Sequence, residues 1–117
     1  MAITYDPKPL TAEQLQLVSQ DVKRVLTDLY GERLDRVILY GSYARGDFHA
    51  ESDVDYMVVL SDRDFRLMTE VDKYWDLTWA TWLEYGVWLS IKTVHVGKYQ
   101  VSDLFFYRNV RREGIVL

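Results

Sequence analysis

A chain of 117 residues has room for one domain with a sizeable core and none for a second catalytic module. Its formal net charge of -4 argues against a non-specific grip on long RNA or DNA, where a basic face is expected, and leaves a small nucleotide with its metal ion open. With no cysteine and only His49 and His95, neither a disulfide framework nor a zinc cluster is available; no apolar run approaches the ~18 residues of a membrane span and the N-terminus lacks a secretory pattern, so a cytoplasmic protein is expected.

The first ten residues read as an arm, irregular through Pro9 and stiffened by Pro7 and Pro9. Thr11 is a good N-cap, Gln14 completes a capping box and Leu10 is placed as a hydrophobic staple. The spacing of Leu15, Val18, Val22, Val25, Leu26 and Leu29 predicts a one-faced amphipathic helix that stops at Gly31.

Arg36 to Tyr40 is a β-branched and aromatic run that predicts a buried strand, and it enters Gly41-Ser42 without a linker. Glycine at 41 admits close backbone approach to a ligand, Ser42 offers a hydroxyl and an N–H, and a helical turn through Tyr43, Ala44 and Arg45 would aim free N–H groups at an anion. That combination is a phosphate cradle. Arg45 reads equally as a surface arginine and as a ligand of a triphosphate or partner of a nearby acid. Asp47 is expected to fix the loop, and His49, in the polar spacer Asp47 to Glu51, is taken as an exposed loop residue outside the site.

Asp53 and Asp55 flank Val54 as a second strand begins, and period-two geometry sends both carboxylates to one face. Two parallel acids facing a phosphate cradle suit Mg²⁺, a hard cation that takes oxygen ligands and usually keeps water and substrate phosphates in its remaining positions. The assembled reading is metal-assisted nucleotidyl transfer. The strand is expected to run to about Leu60 and end in the turn Ser61-Asp62.

From about Arg63 to Tyr85 a long helix is predicted, with Phe65, Met68, Val71, Trp75, Thr78, Trp79 and Trp82 at helical spacing and Gly86 closing it. Most of this surface is assigned to the core; with Tyr74, Leu77 and Leu83 it is wider than one small sheet requires, so a partner-facing aromatic patch at one end is the competing reading. Val87 to Val96 is the third strand, with Trp88, Ser90 and Lys92 on one face. After Ser102 or Asp103 comes a helical segment at Leu104 to Tyr107. Arg108, Arg111 and Arg112 follow as dipole partners and solvated charges, or as contacts of an acidic partner, and Ile115 to Leu117 as a final strand or apolar plug. The fold class is α/β (α+β): one domain over 1–117, a small mixed sheet with helices packed largely on one side and an open site edge.

Taken singly, Gly41-Ser42 is a turn and Asp53 a solvated strand-end acid. The ordered conjunction of strand, Gly41-Ser42-Tyr43-Ala44-Arg45-Gly46-Asp47, spacer, Ser52-Asp53-Val54-Asp55 and apolar strand resembles the minimal nucleotidyltransferase (MNT) branch of the DNA polymerase β superfamily. The resemblance implies a polymerase β-like fold, ATP as substrate, Gly41 and Ser42 on its terminal phosphates with Arg45 assisting, and Asp53 and Asp55 as catalytic Mg²⁺ ligands. It also implies an antitoxin that transfers AMP to a tyrosine of a partner HEPN toxin, in a hetero-oligomeric complex, and so silences its RNase activity. Polynucleotide and membrane partners are not expected.

The sequence departs from the family at one point. Fully active members carry a third carboxylate on the third strand, and its slot here is Ser90. A tyrosine hydroxyl, with a pKa near ~10, needs less help to ionise than a sugar hydroxyl, which suits an acceptor of that kind. Two rival readings stay open: an antitoxin, weak or inactive as an enzyme, that inhibits by docking alone, and a small-molecule transferase of the aminoglycoside type, which ordinarily needs more chain to enclose its substrate.

Overall fold

The computed structural model describes residues 8–62 and 67–117. Leu10 is buried and its N–H donates to the Tyr43 hydroxyl at 3.0 Å, tying the start of the first helix to the loop that follows the first strand. Helix α1 spans Ala12–Tyr30 and opens on the expected capping box, with Gln14 N–H donating to Thr11 Oγ1 at 3.1 Å and Thr11 N–H to Gln14 Oε1 at 3.0 Å. It buries Val18, Val22 and Leu26. A 3₁₀ turn, Gly31–Arg33, leads into strand β1, Leu34–Tyr40, which starts two residues before the expected Arg36. Then come α2, Ser42–Arg45; β2, Val54–Leu60; α3, Leu67–Tyr85; β3, Leu89–His95; α4, Val96–Val101; α5, Phe105–Glu113; and β4, Ile115–Val116. The expected α3 start at Arg63 and the Phe65 position lie outside the described residues, as do the side chains of Met68 and Val71.

The sheet has four strands in the order β3-β2-β1-β4. β1 runs antiparallel to β2 and to β4, and β2 runs parallel to β3, so the sheet is mixed. Alternation along the strands gives it two apolar faces. Val37, Leu39, Val54, Tyr56, Val58, Leu60 and Leu89 pack with Val18, Val22 and Leu26 of α1 and Tyr74 of α3. Ile38, Met57, Val59 and Val94 face the other way, under Tyr99 of α4 and Tyr107 and Val110 of α5. The two long helices therefore share one side, as expected, and two short helices cover part of the other.

The strand registers order that second face into rows. Ile38, Met57 and Lys92 form one, and Arg36, Val59 and Val94 another. Beyond them Tyr40, Asp55 and Ser90 form a row at the open end of the sheet. The helices cover the apolar side chains of the first two rows and reach Tyr40 through Phe106, and Asp55 and Ser90 are left at the edge.

Three details differ from the sequence reading. The third strand begins at Leu89 rather than Val87 and ends at His95, because His95 caps an unanticipated helix, its Nδ1 accepting from Gly97 N–H at 3.0 Å. Trp88 does not share the Ser90 face: it stacks on Trp82 of α3 at 4.7 Å between ring centroids. Trp75 and Trp79, assigned by spacing to the core, are 57% and 45% exposed and form a ladder with Trp88 on the surface. The helix is apolar around much of its girth, and the buried hydroxyl chain from Tyr30 through Tyr74 to Thr93, with links of 2.6 Å and 2.5 Å, fixes which side turns inward.

Candidate active site

Gly41 makes the junction between β1 and α2. Its φ of 74° and ψ of -156° lie where only glycine is comfortable, and a Cβ at this position would strike the Asp55 carboxylate. The backbone here must lie flat against Asp55, which only a residue without a side chain allows. The Gly41 carbonyl accepts from the amides of Ala44 and Arg45, each at 3.1 Å, and Gly46 N–H closes the turn on Ser42 O at 2.9 Å. Ser42 and Tyr43 head this turn, the positions whose N–H groups have no partner within a helix. Tyr43 is buried, stacked on Phe48 at 4.2 Å, so the loop is anchored from beneath.

Arg45 is exposed and held by two acids, with Nε 3.2 Å from Asp47 Oδ2 and Nη1 3.6 Å from Glu113 Oε2. Asp47 thus fixes the loop, as expected. The spacer is a closed turn in which His49 N–H donates to Ser52 Oγ at 2.9 Å and His49 Nδ1 accepts from Glu51 N–H at 3.2 Å. His49 is exposed and occupied with its own loop.

Asp53 is exposed and Asp55 half-buried, and they lie close enough for one charge to act on the other. Burial holds the Asp55 carboxyl above the usual carboxylate range; the charge of Asp53 adds to this, while the Ser90 hydroxyl and Arg45 partly offset it. Tyr40, on the other side of Asp55 in the same row, is pushed up to about 12 by burial first and by Asp55 second, so it stays protonated. Two acids that repel each other in a partly desolvated place, beside a turn stripped of side chain at Gly41, fit a divalent cation with few protein ligands. Among the described residues no third carboxylate, imidazole or thiolate completes a metal cluster. Ser90, the position expected to hold a third acid, is exposed and pairs in register with Asp55.

The structure brings Gly41, Asp55 and Arg45 to one end of the sheet and adds residues that spacing did not single out. A cavity of about 280 Å³ opens between Tyr40, Gly41 and Arg45 on one side and Phe105, Phe106, Asn109, Val110 and Glu113 of α5 on the other. The sequence signal for it was a Phe-Phe pair opening a helix otherwise rich in arginine. Arg111, read as a dipole partner or solvated charge, instead clamps α5 to α4, donating to the carbonyls of Tyr99 at 2.7 Å and Ser102 at 2.8 Å. Arg112 bonds Asn109 and Glu113, and Arg108 is exposed.

The chain is similar to known proteins in sequence and in fold. The pattern of the family described as "Nucleotidyltransferase domain" matches residues 19–110. The chain is 37% identical over 99 residues to a Methanocaldococcus jannaschii protein with the provisional name protein adenylyltransferase MJ0604, covering 79% of this chain and 86% of that one. Among solved structures, a chain of a toxin–antitoxin complex with AMP-PNP superposes with a TM-score of 0.57 at 18% identity, over 83% of this chain and 69% of that one. A chain from the complex of tri-AMPylated Shewanella oneidensis HEPN toxin with MNT antitoxin gives 0.52 at 18% identity, over 86% and 69%. At that identity the likeness is one of fold.

Proposed function

Since this chain belongs to the nucleotidyltransferase domain family, we propose that it transfers AMP from ATP to a tyrosine hydroxyl of a HEPN-type partner toxin, with Mg²⁺, and thereby neutralises the partner's RNase activity. The observation that carries this reading is the contact between Gly41 and Asp55, which sets a backbone turn suited to phosphate directly against an acidic pair suited to a cation.

In the proposed reaction the phenolic oxygen attacks the α-phosphorus, the new O–P bond forms as the α–β anhydride bond breaks, pyrophosphate leaves, and the phenolic proton passes to solvent. Gly41 and Ser42 bind the terminal phosphates through backbone N–H and hydroxyl, and Arg45, kept in place by Asp47 and Glu113, supplies positive charge beside them. Asp53 and Asp55 would hold Mg²⁺, which when bound neutralises phosphate charge and polarises the α-phosphate. Ser90 cannot take the proton of the attacking hydroxyl, so the reaction relies on positioning and on the intrinsic acidity of a phenol.

The whole chain, 1–117, acts in this reading as a single minimal domain in the cytoplasm, in complex with its partner. No helix among the described residues is long and apolar enough to cross a membrane. Ser90 also favours a second reading, inhibition by docking alone with the acidic pair as a remnant. The partner's ribonuclease activity separates the two. We expect wild-type protein to silence it only when ATP and Mg²⁺ are supplied, and the double variant Asp53→Asn/Asp55→Asn to leave it on. Equal silencing without ATP, by wild type and variant alike, sinks the transfer reading.

A further inference from the structure

The 280 Å³ cavity adjoins the acidic pair without including it, and it shares Gly41 and Arg45 with the proposed phosphate site. Three of its lining side chains, Tyr40, Phe105 and Phe106, are aromatic. Tyr40 meets Phe106 edge to face at 5.6 Å between centroids, and Lys92 Nζ stands 4.8 Å from the Phe106 centroid, which fixes that ring. Phe105 is 76% exposed and Phe106 38%, on a helix whose neighbouring surface positions, Arg108 and Arg112, are charged. Two phenylalanines left in water beside a concave site are a standing cost that a planar apolar ligand removes.

The polar side chains at the rim are already sorted by their partners. Glu113 is engaged by Arg112 at 3.0 Å and Arg45 at 3.6 Å, so its carboxylate is directed at arginines. Asn109 Oδ1 accepts from Arg112 at 2.9 Å, which turns the Asn109 amide NH₂ into the donor presented to a ligand. An amide donor beside aromatic faces, with the Arg45 guanidinium at the phosphate end, matches a heteroaromatic ring with acceptor nitrogens. Gly41 belongs both to the cavity and to the phosphate turn, so the two places adjoin closely enough for one molecule to fill both.

The geometry points to this cavity as the nucleobase subsite, with Phe105 and Phe106 stacking on the base and Asn109 donating to its edge. This rests on the nucleotidyl-transfer reading and adds to it the place of the base and the residues that hold it. Stacking of this kind tolerates any base, so base preference resides in Asn109.

The test is calorimetric titration of the full chain, in Mg²⁺, with two probes: the α,β-methylene analogue of ATP, which cannot transfer AMP, and inorganic tripolyphosphate, which has no base. We expect Phe105→Ala to weaken the analogue by roughly 5- to 100-fold and leave tripolyphosphate unchanged. Asn109→Ala should narrow the preference between analogues with different bases. Phe105 is exposed, so its truncation removes little core, and an unaltered circular dichroism spectrum checks the fold. The subsite is overturned if Phe105→Ala binds the analogue like wild type. It is equally overturned if the variant loses both probes together, or if wild type binds the analogue no better than tripolyphosphate. Normal analogue binding with slowed transfer to the partner would assign the cavity to the acceptor instead. If wild type binds neither probe, the transfer reading itself fails.

Discussion

Replacing Gly41 by alanine separates backbone strain from damage to the site. At φ 74°, ψ -156° a side chain is disfavoured by about 1–3 kcal/mol, and the new Cβ would also strike Asp55, with Asp55 Cγ at 3.1 Å and Cβ at 3.4 Å behind the carboxylate oxygen. Either the turn or Asp55 must shift by a good fraction of an ångström, and a misplacement of about 1 Å at a reacting centre can cost on the order of 10²-fold in rate. Gly46 is the control. It has φ 88° in the left-handed region, where alanine costs about 1–2 kcal/mol, and a Cβ there meets nothing within 4 Å. We expect urea denaturation to show both variants destabilised, Gly41→Ala the more, and initial rates of AMP transfer to show about a hundredfold loss for Gly41→Ala and less than threefold for Gly46→Ala. Wild-type transfer by Gly41→Ala, or an equal loss in both, would refute the claim that this glycine makes room for Asp55.

Further outcomes follow from the same geometry. Asp55 has a folded-state pKa raised by burial and by Asp53, so its ionised form weakens the fold wherever the pH lies above that value, and stability is regained as pH falls toward the unfolded value near ~3.9. Asp55→Asn should therefore raise the urea midpoint at pH 7 with a gain that shrinks on acidification; a lower midpoint at pH 7 would contradict this. Millimolar Mg²⁺ should raise the melting temperature of wild type and not that of Asp53→Asn/Asp55→Asn. Ser90→Asp places a carboxylate beside Asp55 in register, and we expect transfer at least about tenfold faster, since general bases contribute roughly 10²–10⁴-fold; an unchanged rate would show that proton removal is not limiting. Arg111→Ala deletes two charge-assisted bonds that join α5 to α4 and should cost about 1.5–3 kcal/mol in chemical denaturation, where a loss under 0.5 would show the clamp to be idle.

How far the sequence disclosed this molecule depended on whether the deciding interactions were local. The capping box at Thr11 and Gln14, the end of β1 at Gly41 and the strand that carries Asp55 follow from residues within a few positions of one another, and all could be read in advance. The face that α3 turns inward is set by hydroxyl contacts with Tyr30 and Thr93, far away in the chain, so spacing alone assigned Trp75 and Trp79 to the wrong side. Helix α4 was hidden because its cap is a histidine, which cap preferences do not single out. That Ser90 lies on the third strand was legible from the alternation there; its place beside Asp55 comes from the parallel register with β2, a non-local pairing. The cavity was not legible, because Phe105, Asn109 and Glu113 meet Tyr40 and Arg45 only when α5 folds back over the sheet.

The central claim is that Asp53 and Asp55 carry AMP transfer to a protein partner without a third acid. It is tested most directly by the intact mass of a HEPN partner after incubation with this protein, ATP and Mg²⁺, alongside Asp53→Asn/Asp55→Asn. We predict a gain of one or more AMP units that is absent with the double variant and lost when a tyrosine of the partner is replaced by phenylalanine. An unchanged partner mass in a stable complex would contradict the claim and leave inhibition by docking, with the two aspartates as remnants.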